Sequence, residues 1–200
     1  MNVDSQLERD AGLRRIVLFV ALLNLGYFGV EFAVALTIGS VSLFADSVDF
    51  LEDASINLLI LVGLGWSLRA RSRLGMALAL ILLIPGLATL WTAWDRFLEP
   101  APPRPLPLLL TGAGALWVNF ICAFMLAAYR HQGGSLAKAA FLSARNDALA
   151  NVAIIVVGLV TAFLWHSAWP DLVVGLAIAA INLDAAREVW TAARGERTRT

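Results

Sequence analysis

The stretch Ala45-Asp46-Ser47-Val48-Asp49-Phe50-Leu51-Glu52-Asp53 sets four carboxylates inside an apolar run, and its reading decides the fold. As a helix, Asp46, Asp49 and Asp53 are three and four residues apart and share one face, with Glu52 about 100° from Asp53. In a soluble protein such a stripe would be a solvated surface. The surrounding chain argues otherwise. Of its 200 residues 60% are hydrophobic and only 15% charged, against roughly 45–50% and ~25% in soluble domains. Fifteen basic and fifteen acidic residues cancel, which excludes a strongly basic nucleic-acid binder and a charge-rich disordered chain. The single cysteine, Cys122, excludes an internal disulfide and a cysteine-ligated cluster. A polytopic membrane protein remains.

Apolar stretches of about 20 residues can cross a bilayer as helices. The sequence predicts an all-α membrane protein with six transmembrane helices, at about 16–36, 41–67, 74–94, 106–128, 137–165 and 172–190. The prolines from Pro100 to Pro107 separate spans three and four. Twelve bases, among them Arg14, Arg15, Arg73, Arg130 and Lys138, fall on one side, and Arg96 and Arg104 on the other. This asymmetry predicts that both termini are cytoplasmic. Trp66, Trp91, Trp94, Trp165, Trp169 and Trp190 fall near span ends, as an interfacial belt would, while Trp117 in mid-span is expected to pack.

The acids within the expected spans include Glu31, Asp46, Asp49, Glu52, Asp53, Asp147 and Asp184. A charge at the bilayer centre costs about 2.5–3.5 kcal/mol on insertion scales. Such a group is tolerable where it faces protein, water or a bound cation. In span five, Ser143, Asp147 and Asn151 share a face at spacings of four, with Arg145 and Asn146 turned elsewhere. Two oxygen-bearing positions on each of two facing helices can supply a four-ligand cation site.

The segment Gly39 to Asp53, the later Ser143-Ala144-Arg145-Asn146-Asp147 and the Trp169-Pro170-Asp171 opening of span six resemble the cation diffusion facilitator family. The resemblance runs over the whole chain. It implies a divalent metal bound between spans two and five, at Asp49, Asp53, Asp147 and Ser143, and exported by alternating access against protons. It implies no cofactor, the transported metal being cargo, and a homodimer. In three respects the chain departs from the family pattern. Asp49 and Ser143 stand where zinc-exporting relatives often have His; His131 and His166 fall in loops; and the usual cytoplasmic C-terminal domain is not expected, leaving a membrane-only form. The site becomes all-oxygen, which favours hard ions such as manganese, whereas family habit favours zinc-like ions, with iron and cobalt between. Without imidazole, carboxylates would have to carry the protons. The fourth ligand stays open among Ser143, Asn151, Asn146 and water.

Antiparallel geometry extends the reading. With Asp49 level with Asp147 and Asp53 with Ser143, Glu52 falls beside Arg145, where a salt bridge would lock the helices in register. The alternative is an Arg145 that reaches to the interface. Asp46 falls beside Asn151. A hairpin near Ile38–Gly39 brings Glu31 to the depth of Asp46 and Asn24 to that of Asp53, so Glu31, Asp46 and Asn24 could line a pathway or proton relay. Asp46 could instead cap span two. Interhelical hydrogen bonding is the plainer role for Asn24, Asn57 and Asn119, and Asp184 with Arg187 makes a structural pair. Small residues at Gly112, Gly114 and Ala115, or at Ala177 and Ala180, could let membrane helices pair in a dimer.

Enzymes are the other class to weigh. Di-iron sites need Glu-x-x-His and metalloproteases His-Glu-x-x-His, and neither occurs. The alternative to a transporter is a non-transporting metal-binding scaffold or sensor derived from one. Compactness points to a bacterial inner membrane.

Overall fold

The computed structural model describes residues 3–63, 68–127 and 134–182, without the side chains of 3–11, 60, 62–63, 68–72, 74–75, 78–79, 81–85 and 134–145. Among the described residues there are six helices and no strand. They are α1 (Val3–Ile38), α2 (Val41–Gly63), α3 (Leu68–Leu98), α4 (Pro105–Ala127), α5 (Gly134–Phe163) and α6 (Trp169–Asn182). Among the described residues, three segments are long and apolar enough to cross a membrane: Gly12–Ile38, Pro105–Ala127 and Asn146–Phe163. The α2 helix has the length, but its four acids lower its apolar character.

Polar and apolar residues are distributed as lipid demands. Glu31, Asp46 and Asn151 are 0% exposed, while Trp91 and Phe124 are 74% and 75% exposed. In water this arrangement would strand apolar surface outside and charge inside; in a bilayer both are favourable. Trp117 belongs to the outer sheath. It is exposed and meets Phe120 edge-on with ring centroids 6.3 Å apart, rather than packing inside. Trp94, Phe97 and Trp169 form an aromatic chain where α3 ends and α6 begins, with centroids 6.3 and 6.2 Å apart.

Helix α1 packs on α2 and α4, α4 on α5, and α2 on α3 and α5. The joint between α1 and α2 is tight because Gly39 adopts φ 63°, and its N–H still donates to the Ala35 carbonyl at 2.8 Å. That left-handed conformation closes a helix at little cost only in glycine. A side chain at Gly39 would also run into the Arg96 guanidinium, whose Nε donates to the Gly39 carbonyl at 3.0 Å. Beside this turn, Ala35, Ile38, Leu43, Phe44, Leu108, Ile154, Val157 and Ile178 form the main core, drawn from α1, α2, α4, α5 and α6.

The small residues of α4 are used within the chain. Gly112 lies against Ile154, Gly114 against Tyr27, and Ala115 is fully buried. Ala177 and Ala180 on α6 are exposed.

Candidate metal site

The acidic stretch of α2 is helical throughout, so the spacing read from sequence becomes a stripe facing α5. Asp53 and Asp147 meet side chain to side chain, and Asp49 lies close enough to feel the charges of Asp147, Asp46, Glu52 and Asp53. Asp53 and Glu52 are buried, and Asp49 and Asp147 half-buried, in a bundle sheathed by apolar side chains. Among the described residues no three carboxylate, thiol or imidazole groups close into a tight metal cage. The arrangement is open. Like charges this close in a low dielectric need positive charge nearby, as bound cations or as protons.

A second grouping lies one turn toward the Gly39 end. Glu31 of α1 faces Asp46 of α2, with Asn151 of α5 beside Asp46. The antiparallel depths worked out from sequence bring these residues together. Neither oxygen of Glu31 or of Asp46 has a hydrogen-bond partner. Asn151 turns its amide nitrogen to the Asp147 carbonyl on its own helix at 2.8 Å, leaving Oδ1 without a donor. Asn57 does the same on α2, donating to the Asp53 carbonyl at 2.7 Å with Oδ1 unpartnered. Interhelical bonding was the expectation for Asn57. The bond is instead to the previous turn of its own helix, a geometry always within reach of an amide four residues on. Asn24 is fully buried on α1 and accepts a long contact from the Cys122 thiol at 3.8 Å, while its Nδ2 has no partner.

Other expected residues are placed less fully. Asn146 is exposed, about 100° round the helix from Asp147. The side chains of Ser143 and Arg145, and the Asp184–Arg187 pair, lie outside the described residues. Glu52 is buried beside the acidic stripe.

Sequence reasoning missed what Asp171 does. This carboxylate, 2% exposed near the start of α6, accepts from the Val41 N–H at 2.7 Å and the Ser42 N–H at 3.3 Å. It also accepts from the Ser40 and Ser42 hydroxyls at 2.8 and 2.5 Å. The first N–H groups of a helix lack intrahelical partners and carry partial positive charge, so an anion there is well placed. Ser40 Oγ in turn accepts from the Leu43 N–H at 3.2 Å, as an N-cap does. This corrects the notion that Asp46 caps α2, since Asp46 lies more than a turn inside the helix. Gly175 completes the joint: a Cβ there would come within 2.6 Å of the Val41 and Ser42 backbone. The available signal was an acid beside Pro170 at the head of an apolar helix, with a serine-rich helix start elsewhere needing an acceptor.

A helical bundle apolar on its outside and lined within by carboxylates is an integral membrane protein equipped to handle cations. The family model for the cation efflux transmembrane domain matches residues 17–194. The chain belongs to the cation efflux, or cation diffusion facilitator, family, whose members are transporters rather than enzymes.

Proposed function

We propose that the protein exports a divalent transition-metal ion from the cytoplasm in exchange for protons, by alternating access. Asp49, Asp53 and Asp147 are the principal ligands, completed by Ser143, Asn151, Asn146 or water into an all-oxygen site. The observation that supports this most is the meeting of Asp53 with Asp147, beside Asp49, inside an apolar sheath. In this reading six spans leave both termini in the cytoplasm of a bacterial inner membrane, and Asn57 stands on the cytoplasmic side of the site. Asp46, Glu31 and Asn151 stand on the outer side, and Asn24 near the inner one. Metal entering from the cytoplasm displaces protons from the carboxylates; when it leaves outward, protons restore neutrality and permit the return. Zinc-like ions are the first expectation on family grounds, with manganese, iron and cobalt next on ligand hardness. With the small residues of α4 packed inside the chain, a homodimer would use the exposed Ala177–Ala180 face of α6.

Expression in a metal-sensitive cell, grown in turn with zinc, cadmium, cobalt, manganese and iron, tests the reading. Tolerance to at least one metal, abolished by Asp53→Ala, is expected. Tolerance undiminished by Asp53→Ala would overturn the site. In proteoliposomes, equal transport rates with and without a proton gradient would reject the coupling.

A further inference from the structure

We infer that Glu31, Asp46 and Asn151 form a second cation site, distinct from the Asp49–Asp53–Asp147 centre, which takes a divalent ion on oxygen ligands alone. The inference rests on the export reading for its cargo but on different carboxylates for its site, and it assigns Asn151 here rather than to the transport centre.

The three side chains come from three helices and none is exposed at all. Between them they offer five oxygens: two of Glu31, two of Asp46 and Oδ1 of Asn151. None of the five has a hydrogen-bond partner. Buried polar atoms are almost always satisfied, and several orphans in one place call for a ligand. The nearest donors are largely engaged elsewhere. Tyr27, close enough to feel both carboxylates, gives its hydroxyl proton to the Thr111 carbonyl at 2.6 Å. Asn151 directs its amide nitrogen at the Asp147 carbonyl. Five unpartnered acceptor oxygens thus share the space, and at most the second N–H of Asn151 stands beside them.

A single proton shared between Glu31 and Asp46 would satisfy one pair of carboxylate oxygens and leave Asn151 Oδ1 and the outer oxygens bare. A divalent cation satisfies all of them together. Two carboxylates with an amide oxygen are a hard donor set, suited to manganese, magnesium or calcium chemistry as much as to zinc. The position also has a use. Asp46 is three residues from Asp49, about 4.5 Å along the helix, so an ion released from the centre meets this site next on its way toward the Gly39 end.

The test is Mn²⁺ binding to the purified full chain, followed by loss of the free-ion paramagnetic resonance signal. Asp53→Asn with Asp147→Asn disables the transport centre, and one Mn²⁺ per chain is expected to remain bound. Adding Glu31→Gln and Asp46→Asn should remove it. In the Asp53→Asn/Asp147→Asn background, Asn151→Asp adds a carboxylate and should tighten binding by about tenfold, a gain that misfolding cannot imitate. Loss of all binding with Asp53→Asn/Asp147→Asn while Asn151→Asp restores none would overturn the second site. Persistence of binding after Glu31→Gln and Asp46→Asn would do so too. If Asp53→Asn leaves transport intact while the Glu31 and Asp46 variants abolish binding, the Asp49–Asp53–Asp147 transport centre fails and the second site stands.

Discussion

Replacing Asp171 by Ala removes the carboxylate that accepts from Val41, Ser42 and the Ser40 and Ser42 hydroxyls. The hydroxyls lose least, because Ser40 Oγ and Ser42 Oγ already lie 3.3 Å apart and can serve each other. The two backbone N–H groups have no such recourse in a buried joint. Each unsatisfied donor costs about 1–3 kcal/mol, giving roughly 3–5 kcal/mol for the variant, the range typical of breaking a buried charged contact. For a chain of this size about 1 kcal/mol moves the melting midpoint by about 2–4 °C. Asp171→Ala should therefore melt roughly 6–20 °C lower, followed by circular dichroism in detergent. Asp171→Asn keeps one acceptor oxygen and should lose about half as much. A double-mutant cycle with Ser42→Ala should give a coupling of at least about 0.5 kcal/mol, since the two share a hydrogen bond. Because the clasp is separate from the acidic stripe, metal affinity at equilibrium should stay within about threefold of the unaltered protein, well under one tenfold step of 1.4 kcal/mol. A melting midpoint within about 2 °C of the parent would refute the reasoning. So would a variant that keeps its stability and loses metal binding, which would make Asp171 a ligand.

Gly175→Ala puts a Cβ against the Val41 and Ser42 backbone and should cost about 1–3 kcal/mol of stability. The loss should be less than additive with Asp171→Ala, because both act on one joint; full additivity in thermal melts would mean the two contacts are independent. Reversing Glu52 or Arg145 alone should impair transport in vesicles, and reversing both should restore part of it; absence of rescue counts against their pairing. Ala177→Cys, on the exposed face of α6, should cross-link between copies in membranes, while the buried Cys122 stays silent. Cross-linking no better than from Leu18→Cys on α1 would move the dimer contact elsewhere.

Contacts between neighbouring helices were the most legible from sequence. Turn length fixes relative depth, so a hairpin closing at Gly39 aligns Glu31 with Asp46. Antiparallel pairing of α2 with α5 sets Asn151 beside Asp46. The acidic stripe was legible because carboxylates in an apolar helix have few tolerable destinations. The Asp171 clasp was not, since no hairpin links α6 to α2 and depth arguments need a connecting turn. Trp117 was misread because apolar outward and apolar inward look alike when the solvent is lipid. The direction of the Asn57 amide was hidden for a different reason: a partner on its own helix and one across the interface suit the same residue equally well.

The back-bonded asparagines have one more effect. An amide is ordinarily amphoteric, able to greet either sign of charge. At Asn57 and Asn151 one amide N–H is given to the helix's own carbonyl and Oδ1 is left as an unpartnered acceptor, at either end of the acidic stripe. An anion there meets unpartnered amide oxygen in addition to the carboxylates. Two neutral side chains thus add acceptor character that does not depend on the protonation of the acids nearby.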